Sequence, residues 1–79
     1  MKTNDLKKGA RVLLRNGWLA TLQDNKKGDI RFAEVEGIYT ELGSVYSHDI
    51  ERALVEGHWV PVEHTEAQLK LMNQVTRLF

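Results

Sequence analysis

The sequence predicts a mainly β domain of the β+α class, a strongly bent antiparallel sheet or partly open barrel of about five strands with a C-terminal amphipathic helix. Two observations predict the strands. Asn16-Gly17 and Glu56-Gly57 each separate two runs in which apolar and polar residues alternate, which is typical of a hairpin. A third predicts the helix, because apolar residues after Thr65 recur at helical spacing.

The first hairpin is predicted over residues 10–15 and 18–23. Apolar residues alternate in both runs, so one face of each strand is apolar. Asn16-Gly17 tolerates the positive φ angles of a type I′ turn, whose twist suits a two-residue hairpin loop.

A polar loop separates this hairpin from a predicted strand over residues 30–36. The apolar alternation slips between Phe32 and Val35, which predicts a β-bulge. Residues 37–43 are expected to form a short excursion between two glycines, and residues 44–47 are a further candidate strand.

The second hairpin is predicted over residues 52–55 and 58–62, around Glu56-Gly57. Pro61 has no amide hydrogen to donate to a neighbouring strand, so the second of these strands is expected at an edge of the sheet.

The C-terminal helix is predicted to begin with a capping box, in which Thr65 accepts from the Gln68 amide and the Gln68 side chain reaches back. No Gly or Pro interrupts the run that follows. Its apolar face is large for so small a core, so we expect a homo-oligomer. The predicted interface residues are Leu71, Val75, Leu78 and Phe79.

Length and composition favour one domain (1–79), barrel-like over residues 6–63 and helical over residues 65–79. The absence of cysteine excludes a disulfide framework and a thiolate zinc site. No apolar run approaches the roughly 18 residues of a membrane span, and the polar N-terminus does not resemble a signal peptide. We therefore expect a cytoplasmic protein without a membrane partner.

The net charge is zero but unevenly distributed along the chain. Residues 1–31 carry eight Lys or Arg and three Asp, whereas residues 32–79 carry three basic and eight acidic residues. The basic residues of the first half, with Trp18 and Tyr39 as stacking faces, indicate nucleic acid as an alternative partner. We favour mutual neutralisation, because charge separated along a chain need not be separated in space.

The three histidines do not match a catalytic or metal-binding pattern. His48 and Asp49 lie beside Ser44 and Ser47, but adjacent residues on a strand point to opposite faces, which does not suit a triad. His58 and His64 are too far apart along a strand to share an ion. We therefore predict surface histidines, no catalytic residues, no metal and no cofactor.

Residues 39–49 combine tyrosine, serine, histidine and acidic residues with few apolar ones. This composition favours a recognition surface, while local hydrogen bonding within turns is an equally weighted interpretation. A nucleotide ligand would use arginine or lysine against phosphate and a tyrosine against the base. The predicted binding residues are Arg15, Trp18, Arg31, Tyr39, Glu41, Ser44, Tyr46, Ser47, His48 and Asp49.

Five stretches together resemble a family of small uncharacterised phage and prophage proteins: residues 4–9, 15–18, 24–28, 43–50 and 62–70. The resemblance covers nearly the whole chain. It implies a phage accessory protein in the bacterial host cytoplasm and carries no catalytic residues.

A weaker similarity to SH3-like barrels of the KOW type rests on Lys8-Gly9-Ala10-Arg11-Val12, although the second KOW glycine is replaced near Trp18. The leading hypothesis is a non-catalytic, counter-defence binding protein that blocks or sequesters a host component, either a protein or a signalling nucleotide, through residues 39–49. The alternative is a nucleic-acid-binding SH3-like module that uses the basic first hairpin.

Overall fold

The computed structural model describes residues 1–70, whose strands form a single antiparallel sheet. Its strands are β1 (Arg11–Leu14), β2 (Leu19–Leu22), β3 (Ile30–Glu36), β4 (Thr40–Tyr46), β5 (Ile50–Val55) and β6 (His58–Pro61). They follow the order β4-β3-β2-β1-β5-β6, so β4 and β6 are edges and the sheet stays open. The predicted mainly β class is confirmed, with six strands instead of about five.

The core lies on one face of this sheet, because alternate residues of each strand point to the same side. Val12 of β1 pairs with Ala20 of β2 on one side and with Ala53 of β5 on the other, and all three are fully buried. Such small side chains make a thin core, as expected for a short chain. The buried apolar residues among residues 1–70 are Leu6, Val12, Leu14, Ala20, Leu22, Ala33, Ile50, Ala53 and Val62.

The first predicted hairpin is confirmed, but its turn is not of type I′. Gly17 has a φ of 91°, whereas Asn16 does not have a positive φ. The Gly17 amide donates to the Leu14 carbonyl at 2.9 Å and the Leu14 amide donates to the Trp18 carbonyl at 2.8 Å, which closes a three-residue loop. Asn16 instead accepts the Trp18 amide through Oδ1 at 3.0 Å.

The second hairpin has the type I′ turn. Val55 pairs with His58 across a two-residue loop, in which Glu56 and Gly57 have φ angles of 49° and 81°. Pro61 lies in β6, and the prediction that its strand is at an edge is confirmed.

The predicted bulge in β3 is wrong. Pairing of β3 with β2 and with β4 runs without a register shift, and Arg31 and Ala33 are the buried residues of this strand. The apparent slip arises because the apolar Phe32 points outward, while the inward position belongs to the charged Arg31. A register shift occurs instead between Leu13 and Leu14, where β1 pairs with β5.

The predicted excursion over residues 37–43 is also wrong, since β4 begins at Thr40 and only residues 37–39 connect β3 to β4. Glycine suggested a loop there, but Gly43 pairs with Ala33 inside the ladder. A 3₁₀ turn, Ser47–Asp49, joins β4 to β5.

The capping box at the start of the C-terminal helix is confirmed. The Gln68 amide donates to Thr65 Oγ1 at 3.2 Å, and the Thr65 amide donates to Gln68 Oε1 at 3.0 Å. Residues 66–70 are helical, and the predicted interface positions Leu71, Val75, Leu78 and Phe79 lie outside the described residues. Within residues 1–70, no helix has the length and apolar character needed to cross a membrane.

Candidate functional site

A cavity of about 460 Å³ is lined by the β1–β2 turn and by the β3–β4 hairpin. Small-molecule pockets have volumes of about 300 to 1,000 Å³, so this cavity has the size of a ligand site. It brings together seven of the ten predicted binding residues, which are separated in sequence. These are Arg15, Trp18, Tyr39, Glu41, Ser44, Tyr46 and Asp49.

The indole of Trp18 is positioned by Gly37. A Cβ atom added to Gly37 would lie 2.6 Å from Cζ3 of Trp18, so the ring rests directly on the glycine backbone. Trp18 is 43% exposed and lines the cavity. Trp18 therefore belongs to the wall of the cavity, although it alternates with the buried residues Ala20 and Leu22.

The register of β3 and β4 places Glu41 at the cavity. Glu41 pairs with Val35, and directly paired residues of antiparallel strands lie on the same face. Both residues line the cavity. Next to them Gly43 leaves room, because a Cβ added there would meet no atom within 4 Å.

The cavity wall contains one ion pair and one carboxylate that has no ionic partner among residues 1–70. Arg15 Nη2 lies 3.3 Å from Asp49 Oδ1, and the Arg15 amide donates to the Asp49 carbonyl at 2.8 Å. Glu41 forms no ion pair with the residues that the structure describes. The charged residues lining the cavity therefore carry a net charge of −1 when all are ionised.

Arg31 does not line the cavity, because its side chain is fully buried. Nε donates to Asp24 Oδ1 at 2.8 Å, Nη1 to the Thr3 carbonyl at 2.9 Å, and Nη2 to the Leu6 and Asp24 carbonyls at 2.8 Å each. Desolvation raises the pKa of the Asp24 carboxyl, but hydrogen bonds from Arg31 and from the Phe32 amide outweigh it, so this pKa lies below its usual range. Arg31 therefore stabilises the fold and is not a binding residue of the cavity.

Ser47 and His48 are likewise buried beside the cavity and do not line it. Ser47 Oγ donates to the Gly28 carbonyl. The His48 ring stacks on Tyr46 with centroids 5.1 Å apart, and its Nδ1 has no hydrogen-bond partner among residues 1–70. His48 Nε2 lies 3.8 Å from Asp49 Oδ1, beyond hydrogen-bonding distance.

These positions correct two expectations about the histidines. Residues 47–49 form a 3₁₀ turn and not a strand, so the argument that His48 and Asp49 point to opposite faces does not apply. His48 is also buried and not a surface residue, while His64 is half-buried with Nε2 at 2.9 Å from the Ile50 carbonyl oxygen. Within residues 1–70, no group of three or more metal-ligating side chains is placed to hold an ion.

The arginines of the first hairpin and of β3 are neutralised in space. Arg11 makes two hydrogen bonds with the Glu36 carboxylate, at 3.0 and 3.1 Å. The Arg11 guanidinium thereby lowers the pKa of the Glu36 carboxyl. With the Arg15–Asp49 pair, this agrees with the favoured interpretation that basic and acidic halves of the chain meet in the fold, whereas Arg31 pairs with Asp24 inside the basic half.

The chain matches no protein-family model, no curated protein and no solved structure. Sequence reasoning did not identify Val35, Leu42 and Gly43 as lining residues or Gly37 as the support of Trp18. An apolar leucine within a polar stretch was the available signal, and Leu42 is indeed 62% exposed.

Proposed function

We propose that the protein is a non-catalytic binding module whose ligand occupies the 460 Å³ cavity. One observation carries the proposal: residues from the β1–β2 turn, from β4 and from the 3₁₀ turn line a single space of ligand size. Its wall combines aromatic, carboxylate and guanidinium groups, the usual mixture of an apolar surface with a few orienting polar groups. The Ser47 hydroxyl and the His48 imidazole do not line this space.

The resemblance to small phage proteins supports a biological role for this module. In that role the bound ligand is a component of the bacterial host, either a small molecule or an exposed group of a host protein, which the module blocks or sequesters in the cytoplasm. Blocking and sequestering require a binding surface and no chemistry, which agrees with the engaged Ser47 hydroxyl.

Amide chemical shifts of the isotope-labelled full chain test the cavity. In titrations with nucleotides, amines and short peptides, we expect a ligand to shift the amides of Trp18, Tyr39 and Glu41. Tyr39→Ala should weaken that ligand by about fivefold or more, since Tyr39 is 76% exposed and lines the cavity.

Ile38→Ala is the matched control, because Ile38 is the neighbouring residue, is 84% exposed and does not line the cavity. Equal affinity in wild type and Tyr39→Ala, or a panel in which no compound shifts the cavity amides, would contradict the proposal.

A second candidate function, nucleic-acid binding, is favoured by a different observation. The Lys8 amide donates to Asn25 Oδ1 at 2.7 Å and the Gly28 amide donates to Asn4 Oδ1 at 3.0 Å, so two lysine-bearing loops meet at one end of the sheet. An affinity that falls steeply with salt would support it, and the absence of a complex in low-salt gel shifts would remove it. The exposed lysines there are Lys7, Lys8, Lys26 and Lys27.

A further inference from the structure

We propose that the cavity recognises an organic cation, an ammonium or guanidinium group attached to an apolar stem. This inference rests on the proposed binding function and assigns its ligand class. It follows from the charge of the wall, from its aromatic residues and from the position of the arginines.

The first step is charge complementarity. Among the charged residues that line the cavity, Arg15 and Asp49 pair with each other at 3.3 Å, which leaves the Glu41 carboxylate without an ionic partner among residues 1–70. A ligand cation beside Glu41 would supply that partner. An anion would meet a carboxylate and an arginine that is already engaged.

The second step concerns the aromatic residues. Trp18, Tyr39 and Tyr46 all line the cavity, and the faces of such rings attract cations through their quadrupole. Trp18 is held on Gly37 and Tyr46 on the His48 ring, so two of the three rings are positioned before a ligand arrives. Aromatic rings that line the same cavity as a carboxylate favour an alkylated cation over a strongly hydrated one.

The third step removes the phosphate ligand that the sequence suggested. A phosphate would need free arginine or lysine at the cavity, but Arg31 is fully buried against Asp24 and no lysine among residues 1–70 lines the cavity. The exposed lysines of residues 7–8 and 26–27 belong to other loops. A nucleotide would therefore find rings to stack on but no uncommitted cation for its phosphate.

Choline and its uncharged isostere 3,3-dimethylbutanol test the inference with the full chain, using cavity amide shifts to measure affinity. The two probes share shape and differ in charge. Choline should bind about tenfold more tightly, and Glu41→Gln should weaken choline by about threefold without changing the isostere. Glu34→Gln, which changes an exposed carboxylate of β3 that does not line the cavity, is the matched control and should change neither.

A further titration distinguishes two sources of the cation, a protein side chain and a free small molecule. A peptide containing trimethyllysine that binds more tightly than choline indicates a protein side chain, and one that binds equally or less tightly indicates a free small molecule. Equal affinities for choline and the isostere, or equal weakening of both by Glu41→Gln, would overturn the inference. A nucleotide that binds the cavity while choline does not would overturn the cation inference but agree with the proposed binding function. If no compound shifts the cavity amides, both the inference and the binding function are contradicted.

Discussion

Arg31 is a fully buried cation whose four hydrogen bonds join three separate parts of the chain. Its guanidinium reaches the carbonyls of Thr3 and Leu6 in the N-terminal segment and both the carbonyl and carboxylate of Asp24 in the loop before β3. Few apolar side chains are available in so thin a core, and this residue takes the place of one. Its alkyl stem is buried, while its planar head donates to backbone carbonyls of two other segments.

Replacing Arg31 should therefore destabilise the fold strongly. Arg31→Met removes the four hydrogen bonds of a fully buried guanidinium and the ionic partner of the half-buried Asp24 carboxylate. We expect the free energy of unfolding to fall by about 3 to 5 kcal/mol in urea denaturation. Arg11→Met removes an exposed pair with Glu36 and should cost much less. Similar losses in both variants would contradict the structural role of Arg31.

The pH dependence of stability gives a second measurement on the same pair. Because the pKa of Asp24 is lowered in the folded protein, its contribution is complete above the unfolded value of about 3.9 and is lost as pH falls through the folded value. Asp24→Asn should flatten the loss of stability below about pH 4 relative to wild type. An unchanged acid profile would show that Asp24 does not contribute.

The elements show how turns with similar sequences differ in geometry. Asn16-Gly17 forms a three-residue loop in which only the glycine is left-handed, whereas Glu56-Gly57 forms the type I′ turn. The positions of both turns follow from the flanking alternation. Their types depend on the strand register, which the sheet partners decide.

Glu56 is the described residue other than glycine that has a positive φ, and this conformation is unfavourable for glutamate. Glu56→Asn should raise the free energy of unfolding by about 0.5 to 2 kcal/mol, since asparagine tolerates that angle in a type I′ turn. Gly57→Ala is the opposing control, because it places a Cβ at a φ of 81° and should destabilise. Chemical denaturation of the wild type and of both variants measures these free energies of unfolding. A Glu56→Asn variant no more stable than the wild type would contradict this account of the turn.

At the scale of the whole molecule, the predicted homo-oligomer depends on four apolar residues that the sequence predicts to share one helical face. Sedimentation at micromolar concentration should give a mass above that of one chain if Leu71, Val75, Leu78 and Phe79 form the interface. The double variant Val75→Ser with Leu78→Ser should then sediment as a monomer. Asn73→Ser, which helical spacing places on the opposite side, should not change the mass, and a monomeric wild type would contradict the prediction.

The sequence by itself determined the mainly β class, both hairpins, the edge position of Pro61 and the capping box at Thr65. Each follows from interactions between residues close along the chain: turn chemistry, period-two alternation and one side chain that reaches the next turn. Tertiary structure decided the inward position of Arg31, the support of Trp18 by Gly37 and the meeting of Arg15, Glu41 and Asp49 around one cavity. These depend on contacts between strands distant in sequence, and no local pattern distinguishes a buried, fully bonded arginine from an exposed one.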